Sequence, residues 1–157
     1  MDKLLKLIEE NARISNEKLA VMTGKKVEEV AADISALEHE GIIRGYKAVI
    51  DWEKTDRPYV SAMIELKVTP RKDTGFDGVA DTIMHFEEVD SVYLMSGGYD
   101  LAVNVHGRTF RDVALFVARR LSTLEGVVST GTHFVLQKYK DRGILLKGEQ
   151  RDMRGDL

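Results

Sequence analysis

The chain has 157 residues, of which 43% are hydrophobic and 31% are charged, and its formal net charge is -3. This length fits one domain or two small ones, and the apolar content is that of a globular protein. Because there is no cysteine, disulfides, thiolate metal ligands and thiol nucleophiles are excluded. No apolar run reaches the roughly 20 residues that a membrane-spanning helix needs, and no signal peptide is recognisable. We therefore expect a cytoplasmic protein without a membrane partner.

A change in periodicity divides the chain. Helical spacing of apolar residues gives way to strict alternation from Val60 onward, and the segment DWEKTDRP between them is polar and ends in a proline. We predict an N-terminal domain over residues 1–50, a linker over 51–58, a second domain over 59–140 and a C-terminal tail over 141–157.

Three short helices are predicted in the N-terminal domain. The first covers residues 2–11, the second follows Ser15 as its N-cap over 16–22, and the third runs over 27–40. Gly24 supplies a sharp turn between the second helix and the third.

The segment after the third helix is predicted to form a wing. Gly41 ends the helix, and residues 42–50, IIRGYKAVI, are typical of a strand pair or an extended wing. A packing helix, two helices joined by a short turn and then a wing together indicate a winged helix-turn-helix. Apolar spacing alone fits any three-helix bundle, so a purely structural bundle remains an alternative.

The predicted recognition helix is acidic on the side that would face DNA. Glu28, Glu29 and Asp33 lie on its solvent side, where carboxylates repel phosphates. The cations that remain as candidates for phosphate contact are Arg13, Lys18, Lys25, Lys26, Arg44 and Lys47. A winged helix that serves packing or protein contact is the alternative.

The second domain is predicted to have the order strand, helix, strand, strand, helix, strand. Its strands are 60–68, 88–96, 100–106 and 127–139, and its helices are 76–84 and 110–124. This βαββαβ order is typical of a ferredoxin-like domain, in which both helices cover one face of the sheet. The predicted fold class is therefore α+β.

Such a sheet leaves its second face without cover. Its apolar candidates are Met63, Tyr93, Met95, Ala102 and one alternating set from residues 127–136. Because an apolar face of this size is unfavourable in water, we predict a homodimer formed through this domain.

The segment Ser96-Gly97-Gly98-Tyr99-Asp100 is the strongest candidate for a ligand site. The two glycines let the backbone approach a ligand and offer amide donors, while Asp100 suits an ammonium group. Together these groups suit a zwitterionic amino acid. The alternative is an ordinary hairpin turn without a ligand.

Neither a metal nor a cofactor is expected. The four histidines, His39, His85, His106 and His133, lack the paired spacing of metal ligands. No sequence-local grouping of serine, histidine and carboxylate is present, and no phosphate-binding loop. The sequence therefore favours a binding protein over an enzyme.

Four segments together resemble the Lrp/AsnC, or feast/famine, family of transcriptional regulators. They are ARISNEKLAVMTG, LEHEGIIRGYKAVID, VYLMSGGYDLAVNVHG and GVVSTGTHFVLQKYK, and the resemblance covers about residues 2–140. It implies a cytoplasmic prokaryotic regulator whose first domain binds double-stranded DNA. It also implies a second domain that binds a small effector, often an amino acid, and forms dimers that can assemble into tetramers or octamers.

The resemblance also implies where the effector would bind. The family's pocket lies at subunit interfaces around the hairpin, which maps here onto Gly97, Gly98, Tyr99 and Asp100, with Thr130 and Thr132 added by the final strand. The sequence departs from the family in its recognition helix. The family usually carries a serine near the start of that helix, and a basic residue where this chain has Asp33.

Two other classes of function remain open. Siroheme decarboxylases resemble the same architecture and would need histidine and arginine around a pocket, for which His106, Arg108 and His133 are the candidates. A ligand-sensing interaction module with an inactive winged helix is the other. DNA binding that weakens with salt would support the regulator. Release of carbon dioxide from added siroheme would support the enzyme. If neither is observed while an amino acid raises the melting temperature, the interaction module is supported.

Overall fold

The computed structural model describes residues 1–148. The chain forms two compact units, the first from Met1 to Val49 and the second from Ile50 onward. The division lies next to the polar segment that the sequence marks as a linker. Within the described part of the chain, no helix is both long and apolar enough to cross a bilayer.

The first unit consists of three helices, α1 (Asp2–Glu10), α2 (Asn16–Thr23) and α3 (Val27–His39). Ser15 caps α2 by accepting a hydrogen bond from the backbone N–H of Lys18 at 3.3 Å. Each helix buries apolar side chains in one common core: Leu4, Ile8, Leu19, Ala20, Val30 and Leu37. The predicted helix ends are confirmed to within one residue.

The segment after α3 differs from the prediction. The backbone N–H groups of Ile42 and Ile43 both donate to the carbonyl of Leu37, at 2.9 and 3.1 Å, and so complete the helix end. Residues 44–50 then run without strand pairing, so of the two forms predicted for this segment the strand pair is wrong, while the extended wing stays a prediction. The physical reason is that no strand of the first unit lies beside this segment, and a strand forms only where its backbone groups find hydrogen-bond partners.

The second unit begins with a single 3-10 turn at Trp52–Lys54. Its remaining main elements are β1 (Val60–Val68), α4 (Asp77–Ile83), β2 (Val89–Leu94), β3 (Leu101–Gly107), α5 (Phe110–Phe116) and β4 (Val127–Phe134). The strands form an antiparallel sheet in the order β2-β3-β1-β4. The predicted α+β class and the βαββαβ order of a ferredoxin-like domain are therefore confirmed.

The core of the second unit lies between the sheet and its two helices. Alternate residues of the central strands point into it, as period-2 patterning predicts: Ala62, Ile64, Leu66, Val68, Leu101, Val103 and Val105. The helices contribute Val79, Ile83, Val113, Phe116, Val117 and Leu121. Because both helices pack on this face, no helix among the described residues of this unit covers the opposite face of the sheet.

Four predicted elements of the second unit end earlier than expected, one of them the strand predicted over 88–96, which stops at Leu94. The helix predicted over 110–124 changes into a π turn at Val117–Leu121, where Ser122 donates through both its N–H and its hydroxyl to the carbonyl of Val117. The final strand stops at Phe134 instead of reaching residue 139. The helix predicted over 76–84 is one residue shorter at each end.

Part of the predicted tail is ordered. Strands β5 (Lys140–Asp141) and β6 (Ile144–Leu145) pair as a short antiparallel hairpin, with Arg142 and Gly143 at positive φ in its turn. The predicted tail over residues 141–157 therefore begins within an ordered hairpin, because a two-residue turn lets these strands pair. Residues 149–157 lie outside the described part of the chain.

Candidate functional site

The turn between α2 and α3 exposes the start of α3. Gly24 adopts φ 70°, a left-handed conformation that costs other residues free energy because their Cβ meets the backbone. The N–H of the next residue, Lys25, donates to the carbonyl of Ala20 at 3.0 Å and closes α2. Lys25 and Lys26 consequently stand exposed at the N-terminal end of α3.

Two of the three acidic residues that the sequence placed on the DNA-facing side of α3 are engaged locally. The carboxylate of Glu29 accepts a hydrogen bond from the backbone N–H of Lys26 at 2.9 Å, which caps the first turn. Asp33 pairs with the ammonium group of Lys25. Glu28 is exposed on the first turn of α3. Of the carboxylates that would repel DNA phosphates, Glu29 thus stabilises the start of α3 and Asp33 neutralises the charge of Lys25.

All six predicted phosphate-contacting residues are exposed on the first unit. They fall in the α1–α2 turn, on α2, just before α3 and in the segment after α3: Arg13, Lys18, Lys25, Lys26, Arg44 and Lys47. The last two belong to the unpaired segment, which is anchored by a hydrogen bond of 2.8 Å from the Tyr46 hydroxyl to Glu38 of α3. Partial burial and this carboxylate raise the pKa of Tyr46, so the phenol stays a donor at neutral pH.

The glycine hairpin joins β2 to β3 at one end of the sheet. Gly97 lies at φ 154° in a region that favours glycine, and both Gly97 and Gly98 are exposed, with no atom within 4 Å of a Cβ built on either. The hairpin is closed by the N–H of Met95, which donates to the carbonyl of Asp100 at 2.8 Å. The backbone of the two glycines is therefore open to a ligand from solution.

The carboxylate of Asp100 has a structural partner that the sequence does not reveal. Its Oδ2 accepts a hydrogen bond from the backbone N–H of Val68 at 2.8 Å, and its own N–H donates to the carbonyl of Leu66 at 2.9 Å. The side chain thereby extends the pairing of β1 one step beyond the last rung formed by Leu66 and Leu101. A carboxylate has further lone pairs, so a ligand ammonium can still be accepted.

The two threonines lie on the far side of β1 from the hairpin. Thr130 pairs with Leu66 and Thr132 with Ile64, so both side chains point to the face that the helices cover. At about 4.8 Å between neighbouring strands, Thr130 lies about 10 Å across the sheet from β3, and Thr132 is two residues farther along. Within one chain, β1 separates the threonines from Asp100.

The face of the sheet without helices is a mixture of apolar and polar side chains. The strand register places Met63, Tyr93 and Ala102 on it, as predicted, whereas Met95 lies beyond the end of β2. The β4 residues on this face are Ser129, Gly131 and His133, which are less apolar than expected. Other polar residues share it: Ser61, Glu65, Lys67, Ser91, Asn104 and His106.

Residues 61–145 match the model of the Lrp/AsnC ligand binding domain. In addition, the chain is 49% identical to the uncharacterized HTH-type transcriptional regulator YugG of Bacillus subtilis, over 97% of this chain and 92% of that protein. The chain belongs to the Lrp/AsnC family. Its relatives are HTH-type transcriptional regulators.

Solved structures agree with this assignment at the level of the fold. The structure of AsnC from E. coli covers 90% of this chain and 93% of its own, with a TM-score of 0.68 and 22% identity. A transcriptional regulator from Neisseria meningitidis, solved as an L-Met complex, covers 88% of this chain and 89% of its own, with a TM-score of 0.71 and 24% identity.

The comparisons with known proteins support a regulator of the Lrp/AsnC family and not a siroheme decarboxylase. The relatives are named as regulators and not as decarboxylases. Moreover, β1 separates His106 on β3 from His133 on β4, and the cavity that His106 and Arg108 line does not include His133. Among the residues that the structure describes, no three potential ligands are grouped to hold a metal ion.

Sequence reasoning missed the local roles of the acids in this Lrp/AsnC chain. Glu29 occupies the third position of α3, where a carboxylate commonly reaches back to the N-cap N–H, so its capping role had a recognisable signal. The hydrogen bond from Val68 to Asp100 joins residues 32 positions apart, and no local pattern predicts such a contact.

Proposed function

We propose that this protein is a cytoplasmic regulator of transcription that binds double-stranded DNA through its first unit and responds to an amino acid bound by its second. The observation that carries the proposal is the exposed lysine pair at the start of α3, in a chain whose relatives are HTH-type transcriptional regulators. In a helix-turn-helix the N-terminal residues of the second helix of the motif approach the bases, while lysines nearby contact phosphate.

The charges on α3 are compatible with this role. Glu29 serves the helix N-terminus and Asp33 is paired with Lys25, so Lys26 is the lysine at this end whose charge is not matched by a neighbouring carboxylate in the described residues. The exposed side chains of the middle of α3 include Ala32 and Ala36, which are short enough to approach the major groove closely.

The hairpin of residues 96–100 is the proposed effector site. Exposed glycine amides offer donors to a carboxylate, and Asp100 has acceptor capacity for an ammonium group. The similarity in fold to a protein solved with L-Met supports an amino acid as the class of effector. Thr130 and Thr132 lie on the helix-covered side of the sheet and not on its open face, and β1 separates them from the hairpin of their own chain. They are therefore proposed to complete the site of another copy in an assembly larger than the dimer.

A homodimer is the proposed unit of function, with tetramers and octamers as further assemblies. On the open face of the sheet, which is the face without helices, Met63, Tyr93 and Ala102 lie among polar side chains. Such a mixture is typical of non-obligate interfaces, which taken whole are about as apolar as the rest of a protein surface. Two protomers would also present two DNA-binding units to two half-sites.

Replacing both Lys25 and Lys26 with glutamine is expected to weaken DNA binding on every sequence tested. Loss of the Lys26 contact should reduce the slope of log affinity against log salt by about 1, and the reduction reaches about 2 where Lys25 exchanges Asp33 for a phosphate. A mobility-shift titration with DNA from upstream of the protein's own gene, repeated between low and high salt, measures both quantities.

The matched control replaces Lys3 and Lys6 of α1 with glutamine. Both are exposed on the same unit, and the change in net charge is the same. We expect the control to retain most of the affinity and the salt slope. Equal losses in both variants would mean that only net charge matters, and unchanged binding by the Lys25/Lys26 variant would remove α3 from the interface. If neither the wild-type chain nor the variants bind DNA, the interaction-module alternative holds.

A further inference from the structure

Strand β4 forms one edge of the sheet, and its outer side is unpaired. The backbone N–H of Val135 donates to the carbonyl of Ser61 beside β1 at 2.9 Å, and bonded and non-bonded residue pairs alternate along an antiparallel ladder. By this alternation Thr130, Thr132 and Phe134 direct their backbone N–H and carbonyl groups away from β1. Among the described residues, β1 is the one strand that pairs with β4, so these outer groups can accept another strand.

The side chains of this edge do not protect it. Edge strands of soluble proteins are commonly guarded by charged residues, by proline or by a bulge. Residues 127–137, VVSTGTHFVLQ, contain no lysine, arginine, aspartate, glutamate or proline. The irregularity in the pairing with β1 lies between Lys67 and Val68, and residues 129–134 keep a regular register. The opposite edge of the sheet, β2, carries Asp90 and a register shift within the strand. Of the two edges, β4 is therefore the one that is open to pairing.

The exposed apolar side chains of this segment are placed symmetrically about Thr132. Val128 is 68% exposed and Leu136 is 84% exposed, and each is four residues from Thr132. Thr130 and Phe134 are each two residues from it. When two identical antiparallel strands are related by a two-fold axis at this residue, Val128 of each copy faces Leu136 of the other, and Thr130 faces Phe134. The segment is thus complementary to a second copy of itself.

We propose that β4 pairs with β4 of a second copy of this chain, antiparallel and about a two-fold axis at Thr132. Thr132 then exchanges two hydrogen bonds with its counterpart, and Thr130 exchanges two with the opposed Phe134 on each side, which makes about six in all. Cross-strand pairs of the types formed here, threonine with threonine and an aromatic ring with a β-branched side chain, are stabilising. Contact between Val128 and Leu136 adds burial of apolar surface.

The edge of β4 and the open face of the sheet are different surfaces. Pairing at β4 lies in the plane of the sheet, whereas the proposed homodimer covers one of its faces. Both contacts can therefore form in one assembly, in which the edge joins one homodimer to the next. The pairing of β4 holds by itself, and its place as the step beyond the dimer rests on the homodimer proposed above. Because the pairing uses backbone groups, the hydroxyls of Thr130 and Thr132 remain on the helix side of the sheet.

Single cysteines test the position of the axis, because the chain has no cysteine of its own. Directly opposed residues of a bonded pair have Cα atoms about 5.5 Å apart, which lies within the range for a disulfide. In Thr132→Cys the two thiols face each other across the axis. The matched control is Thr130→Cys, on the same strand and the same side of the sheet. Its two thiols are offset by four residues, or about 13 Å along the strand.

Both full-length variants are oxidised with copper phenanthroline at the same low protein concentration and are then separated by non-reducing electrophoresis. We expect Thr132→Cys to form a covalent dimer at least tenfold faster than Thr130→Cys, and dithiothreitol to reverse it. Circular dichroism checks that both variants are folded. Equal rates in the two variants, or no covalent dimer from Thr132→Cys, would overturn the inference.

Light scattering after size exclusion separates the edge contact from the proposed homodimer. Thr132→Lys brings like charges together at the axis and should reduce an assembly of four chains to two. The control Thr123→Lys, exposed in the turn before β4, should keep the wild-type size.

The sizes distinguish the possible failures. If Thr132→Lys keeps the wild-type size and Thr132→Cys does not cross-link, edge pairing is overturned while a homodimer through the open face stands. If the wild-type chain is a dimer that Thr132→Lys converts to monomers, and Thr132→Cys cross-links, edge pairing is supported and the open-face homodimer is overturned.

Discussion

Replacing Leu66 with alanine is expected to lower the free energy of unfolding of the second unit by about 2–5 kcal/mol. Leu66 is fully buried at the centre of the sheet, between Leu101 on β3 and Thr130 on β4. The loss combines the transfer free energy of the removed methyl groups with the cavity left in a core that relaxes only partly. Urea denaturation at a fixed protein concentration measures the change.

Leu136→Ala is the matched control, because the same side chain is 84% exposed there. We expect this variant to unfold within about 0.5 kcal/mol of the wild-type protein. Equal effects of the two substitutions would contradict the assignment of the core to the helix-covered face. An unchanged denaturant slope in both variants would show that the unfolded states are comparable.

Replacing Asp100 with alanine is expected to destabilise the second unit by about 1–3 kcal/mol, because the buried N–H of Val68 loses its acceptor. Asp100→Asn should cost less, since the amide oxygen can accept the same hydrogen bond. Thermal and urea unfolding of the two variants separate the geometric role of the side chain from its charge. Equal destabilisation by both would mean that the charge, and not the acceptor, holds β1.

The asparagine variant also tests the proposed effector site without that structural damage. If Asp100 binds the ammonium group of an amino acid, Asp100→Asn should weaken binding at least tenfold, about 1.4 kcal/mol. The probes are the twenty amino acids, screened by thermal shift and followed by calorimetry with each one that stabilises the wild-type chain. Unchanged calorimetric affinity in Asp100→Asn would remove Asp100 from the site.

Local patterns predicted most of the elements correctly. The alternation of Val60, Ala62, Ile64, Leu66 and Val68 identifies a strand because the period of two is a property of the strand itself. Ser15 and Gly24 mark the ends of α2 through capping interactions that span a few residues. These signals require no knowledge of the rest of the chain.

Predictions failed where the outcome depended on a partner elsewhere. Residues 42–50 are rich in strand-forming isoleucine, valine and tyrosine, but no neighbouring strand pairs with them within the first unit. Conversely, residues 141–145 were assigned to the tail, although two short segments there are close enough in sequence to pair. A strand forms only where hydrogen-bond partners exist, and alternation does not specify them.

The candidate sites also divide into features set by local sequence and features set by distant partners. The glycine hairpin, the order of the elements and the lysines before α3 are readable from residue types and spacing, because each depends on a few consecutive residues. Periodicity could not decide which face of β4 meets the core, and the strand register placed Thr130 and Thr132 on the helix side.

The contacts that determine which groups of these sites are already engaged within the protein depend on tertiary structure. The hydrogen bond from Val68 to Asp100 joins residues 32 positions apart in sequence. Spacing along the chain fixes periodicity, caps and turns, since those interactions reach only a few residues. Which distant groups become neighbours depends on strand order and packing, so the acceptor role of Asp100 emerges only in the folded chain.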